Sequence, residues 1–456
     1  MEIYSGNNDY KLYYGNMLDL LEVIDKETID SIITDPPYEL NFMSKNWDSS
    51  GIAFQPDTWK KCYEVLKPGG YLLAFGGSRT FHRIACAIED AGFEIRDTIM
   101  WLYGSGFPKS MSLSKGLEAR EKLGNAGTRN KRKIEQACDT EEYILKQTNN
   151  GAMGEIIETT RKEYIPDTKL AKQWQGWGTA LKPSFEPIIV ARKPFKGSLV
   201  DNVIKNGVGG INIDECRVGT GTGEKKKVKY PDIRGDNYNQ GKHEYNNTVE
   251  YEIEDKGRFP ANTILTYDET DFDEVCGGFP NTKGGNRHNT AIRQSNKNSG
   301  YGFDVNTRNE FNDSGSASRY FYNAKASKKD RDEGLDNQRK QKVNDGRQTP
   351  IDNPFQRGET PRRNVHPTVK PTNLMQYLVR LVTPNNGIIL DPFNGSGSTG
   401  KAVMYENKER NKNYKYIGIE MTEEYLPISK ARIEYVCKLA EEERNKERQL
   451  SIYDLQ

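Results

Sequence analysis

Ile29-Asp30-Ser31-Ile32-Ile33-Thr34-Asp35-Pro36-Pro37-Tyr38 is an apolar, β-branched run that ends on one carboxylate, two prolines and an aromatic ring. Its length and branching predict a strand. In an open α/β sheet, residues just past the carboxyl end of a strand sit in the ligand crevice. Pro36 and Pro37 stiffen the exit and carry no backbone N–H, while their carbonyls remain acceptors. Such a tip suits a planar ligand bearing an amino group. A polar turn after a buried strand is the plainer reading, and the tetrapeptide alone leaves both open.

Outward from this tip the pattern alternates. Tyr10 to Tyr14 reads as a strand, Gly15-Asn16 as a turn, and Met17 to Ile24 as a short amphipathic stretch. Pro56 to Leu66 predicts a helix stopped by Lys67-Pro68-Gly69-Gly70, Tyr71 to Phe75 a buried strand, Phe81 to Ala91 a helix and Glu94 to Leu102 a strand. Strands and helices alternating at short spacing predict a mostly parallel sheet covered on both faces. The alternation breaks after Tyr103. Residues 105–185 form a polar, Lys- and Gly-rich insert with a basic cluster at Arg129, Lys131, Arg132 and Lys133. One strand returns within 186–194. Residues 195–365 are long and irregular, with basic groups at Lys225, Lys226 and Lys227 and at Lys328 and Lys329. Such runs serve as solvated faces, or, interleaved with Asn, Gln, Tyr and Trp, as contacts to DNA. Residues 366–456 resume the α/β pattern: a helix over Leu374–Val382, a strand to Asp391, a helix from Lys401, a strand to Glu420 and a charged closing helix.

The loop Pro392-Phe393-Asn394-Gly395-Ser396-Gly397-Ser398-Thr399-Gly400 lies between a strand and a helix and fits three ligand classes. Gly395, Gly397 and Gly400, with Glu420 about twenty residues on, satisfy the dinucleotide fingerprint. Gly395 to Lys401 approaches a P-loop, but Ala402 stands where the Mg²⁺-binding hydroxyl belongs. Only one further strand and a helix remain for a dinucleotide half. An adenosyl cofactor without pyrophosphate fits better: the glycines let the backbone approach its amino-acid tail, and Glu420 accepts from the ribose hydroxyls.

Asp-Pro-Pro-Tyr at 35–38, His-Pro-Thr-x-Lys-Pro at 366–371 and Asp-Pro-Phe-x-Gly-Ser-Gly at 391–397, in that order, resemble the β-class amino-group DNA methyltransferases. The segments Gly176-Trp177-Gly178-Thr179-Ala180-Leu181-Lys182-Pro183 and Tyr320-Phe321-Tyr322-Asn323-Ala324-Lys325-Ala326 further resemble phage- and prophage-type members. The resemblance implies a Rossmann-like, S-adenosylmethionine-dependent methyltransferase sheet, circularly permuted. Residues 1–104 would form its catalytic half and 366–456 its cofactor half, with target recognition between them. It implies adenine N6 methylation of double-stranded DNA, with N4-cytosine as the alternative. The Asp-led tetrapeptide leans towards adenine. Asp35 and the Pro36 carbonyl would accept the target amino hydrogens beside Pro37, and Tyr38 would stack on the flipped base. Asp391, Phe393, Gly395, Ser396 and Gly397 would lie along the cofactor, Glu420 would hold its ribose, and Asn16, Thr368 and Lys370 would stand near it. Members of the class accompany restriction enzymes and many dimerise, so a homodimer is a further expectation.

The whole chain is compatible with this. Its 456 residues exceed one ordinary core, and 34% hydrophobic against 29% charged content indicates a compact centre with polar inserts. Net charge is +1, so local patches must supply any affinity for a polyanion. The six cysteines lack CxxC pairing, which points to a reducing, cytoplasmic setting and away from a structural zinc site. No cysteine follows a proline, as carbon-5 cytosine methylation would require, and the zinc deaminase signature is missing. The four histidines are not spaced as a metal set, and no apolar run is long enough to span a membrane. An inactive DNA-binding relative and a nicotinamide oxidoreductase remain as functions of other classes.

Overall fold

A computed structural model describes residues 3–40, 50–103, 110–124, 134, 137–148, 156–219, 225–231, 248–254, 256–266, 279, 281–282, 315–324, 328–340 and 362–453. Its strands are β1 (Ile3–Gly6), β2 (Tyr10–Tyr14), β3 (Ile29–Thr34), β4 (Leu66–Phe75), β5 (Glu94–Tyr103), β6 (Thr140–Thr148), β7 (Ile156–Tyr164) and β8 (Phe185–Arg192). They continue with β9 (Lys225–Pro231), β10 (Thr248–Glu254), β11 (Thr263–Thr266), β12 (Asn281–Thr282), β13 (Gly315–Ser316), β14 (Tyr322–Asn323), β15 (Ile388–Asp391) and β16 (Lys415–Glu420). The helices are α1 (Met17–Leu21), α2 (Pro56–Val65), α3 (Phe81–Asp90), α4 (Leu113–Leu123) and α5 (Lys169–Gln173). After them come α6 (Leu199–Asn206), α7 (Lys328–Asp332), α8 (Thr372–Val382), α9 (Ser398–Arg410) and α10 (Leu426–Tyr453).

The chain divides into two compact units, one of residues 1–104 with 185–456 and one of 105–184. In the larger unit ten of the described strands form one sheet in the order β1-β2-β16-β15-β3-β4-β8-β5-β11-β14, and β9 with β10 and β12 with β13 form separate pairs. Strands β2 to β4 run parallel in that order, β8 is antiparallel between β4 and β5, and β1 is an antiparallel edge. Winding proceeds from β15 towards β16 in one direction and from β3 towards β4 in the other. The β15/β3 junction is therefore the topological switch point where such sheets bind ligands. Pairing of Ile389 with Ser31 and Leu390 with Ile32 brings both exits together from opposite ends of the chain.

The strands are apolar on both faces, as a doubly covered parallel sheet requires. Ile32, Leu72, Ala74, Ile189 and Leu390 pack with Leu20, Trp59, Val65 and Ile88 of α1, α2 and α3. Ile33, Leu73, Phe75, Val190 and Ile389 pack with Leu374, Leu378, Val403 and Ile433 of α8, α9 and α10. The Arg380–Glu406 pair, 2.6 Å apart with both side chains buried, clamps α8 to α9.

Two expectations need correction. Lys67-Pro68-Gly69-Gly70 does not separate a helix from a later strand, because β4 begins at Leu66. Gly69, at φ 85°, absorbs a bulge that hydrogen bonds between Gly69 N and Lys193 O and between Lys193 N and Gly70 O hold in place. Residues 195–365 are also more than an insert. β11 pairs in parallel with β5, and β14 with β11, which extends the main sheet. Strands of four and two residues are too short to show a period, yet they satisfy the β5 edge, and Ile264, Leu265 and Ala324 are fully buried there.

In the unit of 105–184, β6 and β7 form an antiparallel hairpin. Glu118, Asp139 and Asp167 converge around Lys122, which lies 2.7, 3.0 and 3.6 Å from them. That arrangement is an ion-pair cluster centred on the ammonium.

Candidate active site

The exit of β3 is tied to the exit of β15 by side chains. Thr34 Oγ1 donates to Asp391 Oδ1 at 2.7 Å, Phe393 N donates to the same oxygen at 3.1 Å, and Thr399 Oγ1 donates to Oδ2 at 2.6 Å. Burial raises the Asp391 carboxyl to about 7, and these donors only partly oppose it. Asp391, expected beside a cofactor, fastens the loop to the neighbouring strand with its oxygens.

One residue beyond Thr34, Asp35 Oδ2 accepts from Lys370 Nζ at 2.7 Å, a distance typical of an ammonium on a carboxylate. Asp35 Oδ1 is buried without a hydrogen-bond partner among the described residues. Burial pushes the Asp35 carboxyl up, the Lys370 ammonium opposes that rise and Glu186 adds to it. Burial would lower Lys370, but Asp35 and Glu186 outweigh it and hold the ammonium above its ordinary value. Lys370, expected near the cofactor, thus stands at the tetrapeptide. Pro36 and Pro37 are buried. The Tyr38 hydroxyl donates to Glu186 Oε2 at 2.8 Å and accepts from Lys370 at 3.2 Å, and Thr80 Oγ1 donates to the Tyr38 carbonyl. A Cβ on Gly77 would lie 3.2 Å from the Tyr38 ring, so glycine there gives the ring its seat.

Glu186 is absent from the expected site. β8 runs antiparallel to its neighbours, so its first residues lie at the edge where the parallel strands end. An acid opening an otherwise apolar strand, in Phe185-Glu186-Pro187, was the available signal.

In the glycine loop, Gly395 and Gly397 have φ of 52° and 73°, a region that disfavours side chains. A Cβ at Gly395 would meet His366 Nε2 at 2.9 Å, and one at Gly397 would clash with Ser429 Oγ. The glycines therefore serve the packing of the loop on its own supports. His366 is buried against Tyr425, its Nδ1 lies 2.9 Å from the Thr368 carbonyl, and burial lowers it to about 3, which keeps it neutral. Thr368 is exposed and closes this turn. The Ser396 carbonyl and Oγ accept from the buried Arg432, so that serine faces the protein. Phe393 leans on Trp59 at 6.3 Å between centroids. Glu420 accepts from Gly395 N and from Thr422 N, both at 2.7 Å. Asn16 is exposed, and its Oδ1 caps α1 by accepting from Leu18 N. Lys401 turns away from the loop to Asp330 and Glu333, at 2.6 and 2.8 Å, which disposes of the P-loop reading.

The basic groups divide. Arg129, Lys131, Arg132 and Lys133 lie outside the described residues. The register of β9 and β10 sets Glu254 opposite Lys225, Ile253 opposite Lys226 and Glu252 opposite Lys227. Lys328 and Lys329 begin α7, and Lys329 is exposed.

A largely parallel sheet with an antiparallel β8 between β4 and β5, and with an acid-tipped β3 beside a glycine-loop β15, places a ligand crevice at the tips of β3 and β15. A sequence profile of the family described as DNA methylase, for N6 and N4 methyltransferases, matches residues 29–431, and the chain belongs to that family. Relatives include the type II methyltransferase M.HindIII of Haemophilus influenzae, 26% identical over 160 residues, covering 34% of this chain and 37% of the relative. The type II methyltransferase M.HpaI of Haemophilus parainfluenzae is 31% identical over 112 residues, covering 23% and 36%. The chain therefore spans little more than a third of these relatives. The DNA adenine methyltransferase YhdJ of Escherichia coli is 32% identical over 78 residues, covering 17% and 24%. Among solved structures, the cytosine-N4-specific PvuII DNA methyltransferase aligns over 96% of this chain and 95% of its own, at 14% identity and a TM-score of 0.38.

Proposed function

We propose that the protein transfers a methyl group from S-adenosylmethionine to the exocyclic N6 of an adenine flipped out of double-stranded DNA. The observation that carries this reading is Asp35 at the switch point, with one oxygen held by Lys370 and the other buried without a donor among the described residues. A buried acceptor that lacks a donor is costly in a folded protein, and an incoming N–H satisfies it. The cofactor's donors fit the residues present. Glu420, whose oxygens accept from Gly395 N and Thr422 N, is the carboxylate that would take the ribose hydroxyls at the tip of β16. Phe393 and the Gly395–Gly397 backbone would line the rest of it. When bound, S-adenosylmethionine supplies a methyl group activated on a sulfonium.

The protein's own groups act on the acceptor. An exocyclic amino nitrogen is a weak nucleophile because its lone pair is delocalised into the ring. Asp35 Oδ1 and the Pro36 carbonyl, each accepting one N–H, favour the pyramidal form and stabilise the positive charge that develops on nitrogen. Flipping the base costs a few kcal/mol, and stacking on the Tyr38 ring returns about 1–3 kcal/mol. Lys370 and Glu186 hold that ring by its hydroxyl. Adenine is preferred over cytosine because the tetrapeptide opens with Asp. The free thiols at Cys62, Cys86, Cys138, Cys216 and Cys437 support a reducing, cytoplasmic setting. The homodimer rests on the family resemblance, and sedimentation decides it.

The test is transfer from labelled S-adenosylmethionine to unmethylated DNA, followed by nucleoside mass spectrometry. N6-methyladenine is expected. N4-methylcytosine overturns the choice of base. Cofactor binding without transfer overturns the activity and leaves a DNA-binding relative.

A further inference from the structure

Lys370 poses a difficulty for the chemistry just described, and on that reading the following inference rests. An ammonium 2.7 Å from Asp35 opposes the positive charge that must grow on the neighbouring amino nitrogen. By itself the pair is neutral, and its field on the reacting atom is small. The structure supplies a second carboxylate. Glu186 Oε2 lies 3.3 Å from the same Lys370 Nζ, whose side chain is 7% exposed. Glu186 is itself fixed from both sides: Tyr38 donates to Oε2 at 2.8 Å, and Tyr103 donates to Oε1 at 3.3 Å. The ammonium also sits over the rings of Phe75 and Tyr38, at 4.9 and 5.3 Å. The cluster therefore holds two carboxylates and one ammonium, with a net charge of −1.

We propose that Glu186 is a positioning residue for methyl transfer. It balances the charge of Lys370, so that Asp35 keeps an effective negative charge towards the target amino group, and it holds the Tyr38 ring by its hydroxyl. Lys370 then orients Asp35 without cancelling it. Tyr103 serves the same end from the last strand of the catalytic half, by holding the far oxygen of Glu186. The placement follows from the topology. β8 is antiparallel between β4 and β5, so only its first residues reach the edge where Asp35 and Tyr38 stand.

The charge count makes a prediction that simple packing does not. Glu186→Gln keeps the shape and an acceptor but leaves a net charge of zero. Glu186→Gln with Lys370→Gln restores −1 and keeps an amide donor for Asp35. Single-turnover methyl transfer is measured for the wild type, both single variants and the double variant, with S-adenosylmethionine affinity by calorimetry and urea unfolding of each. Glu186→Gln is expected to slow transfer about 10–100-fold while cofactor affinity stays within about twofold. Adding Lys370→Gln is expected to recover much of the loss. A single variant that fails to fold while the double variant folds shows the same compensation. A Glu186→Gln enzyme at the wild-type rate, or a double variant slower than both singles or unfolded, overturns the inference. A wild-type protein that binds cofactor but transfers nothing sinks the methyl-transfer reading itself, and the inference falls with it.

Discussion

Asp35 can serve as an acceptor because its two oxygens are treated differently. Lys370 engages Oδ2, and Oδ1 is buried without a donor among the described residues. Asp35→Ala is expected to lower the transfer rate at least about 100-fold, as loss of a prearranged electrostatic group does. DNA affinity, measured by fluorescence anisotropy, should stay within a few-fold, since Lys370 keeps Glu186 as partner. A full-rate Asp35→Ala enzyme would sink the assignment. Gly397 makes a different demand. Its φ of 73° and the clash of a Cβ with Ser429 Oγ predict that Gly397→Ala destabilises the protein by about 1–3 kcal/mol. Urea unfolding measures this, and an unchanged midpoint refutes the close packing of loop and α10.

Among the elements, α7 is the clearest case of polar residues that dock a segment. Asp330 accepts from Thr372 N at 2.7 Å and from the fully buried Lys401 at 2.6 Å, and Arg331 donates to the His366 carbonyl at 2.6 Å. Leu335, just beyond, packs on Tyr425 and Ile428. Lys401→Met leaves Asp330 and Glu333 without their ammonium, and breaking such a pair from one side costs about 3–5 kcal/mol. Unfolding midpoints of Lys401→Met against wild type test this, and a shift near zero means that α7 is docked by other side chains.

The molecule as a whole joins its two chain ends through β15 and β3, and two buried titratable groups record that joint in the pH dependence of stability. His366 is held at about 3 in the folded state, against an ordinary value of 6.5. The unfolded chain therefore takes up its proton first, and stability present above about 6.5 is lost as pH falls towards 3. Asp391, raised to about 7 by burial, acts the other way: its contribution is full below the ordinary carboxylate value and is lost as pH rises through 7. Between about pH 4 and 6.5 the two slopes oppose one another. His366→Asn removes one of them, so between pH 7 and 5 the wild type should lose about 2 kcal/mol relative to the variant. Parallel pH profiles would mean that His366 is not buried neutral. By itself the sequence determined the alternation of strands and helices at both ends, the β3 tip, the glycine loop and their order, because apolar periodicity, proline and glycine act over a few residues. The motif resemblance also depends on local strings such as Asp35 to Tyr38 and Asp391 to Gly397. Tertiary structure alone decided which strand tips meet, that Lys370 pairs with Asp35, that Asp391 and Ser396 hydrogen-bond to Thr34 and Arg432, and that Glu186 stands beside Tyr38 and Lys370. It also drew β11, β14 and α7 from an irregular stretch into the main unit. The reason is physical: strand order, antiparallel entry and burial are settled by pairing between residues hundreds of positions apart, and no local pattern encodes them.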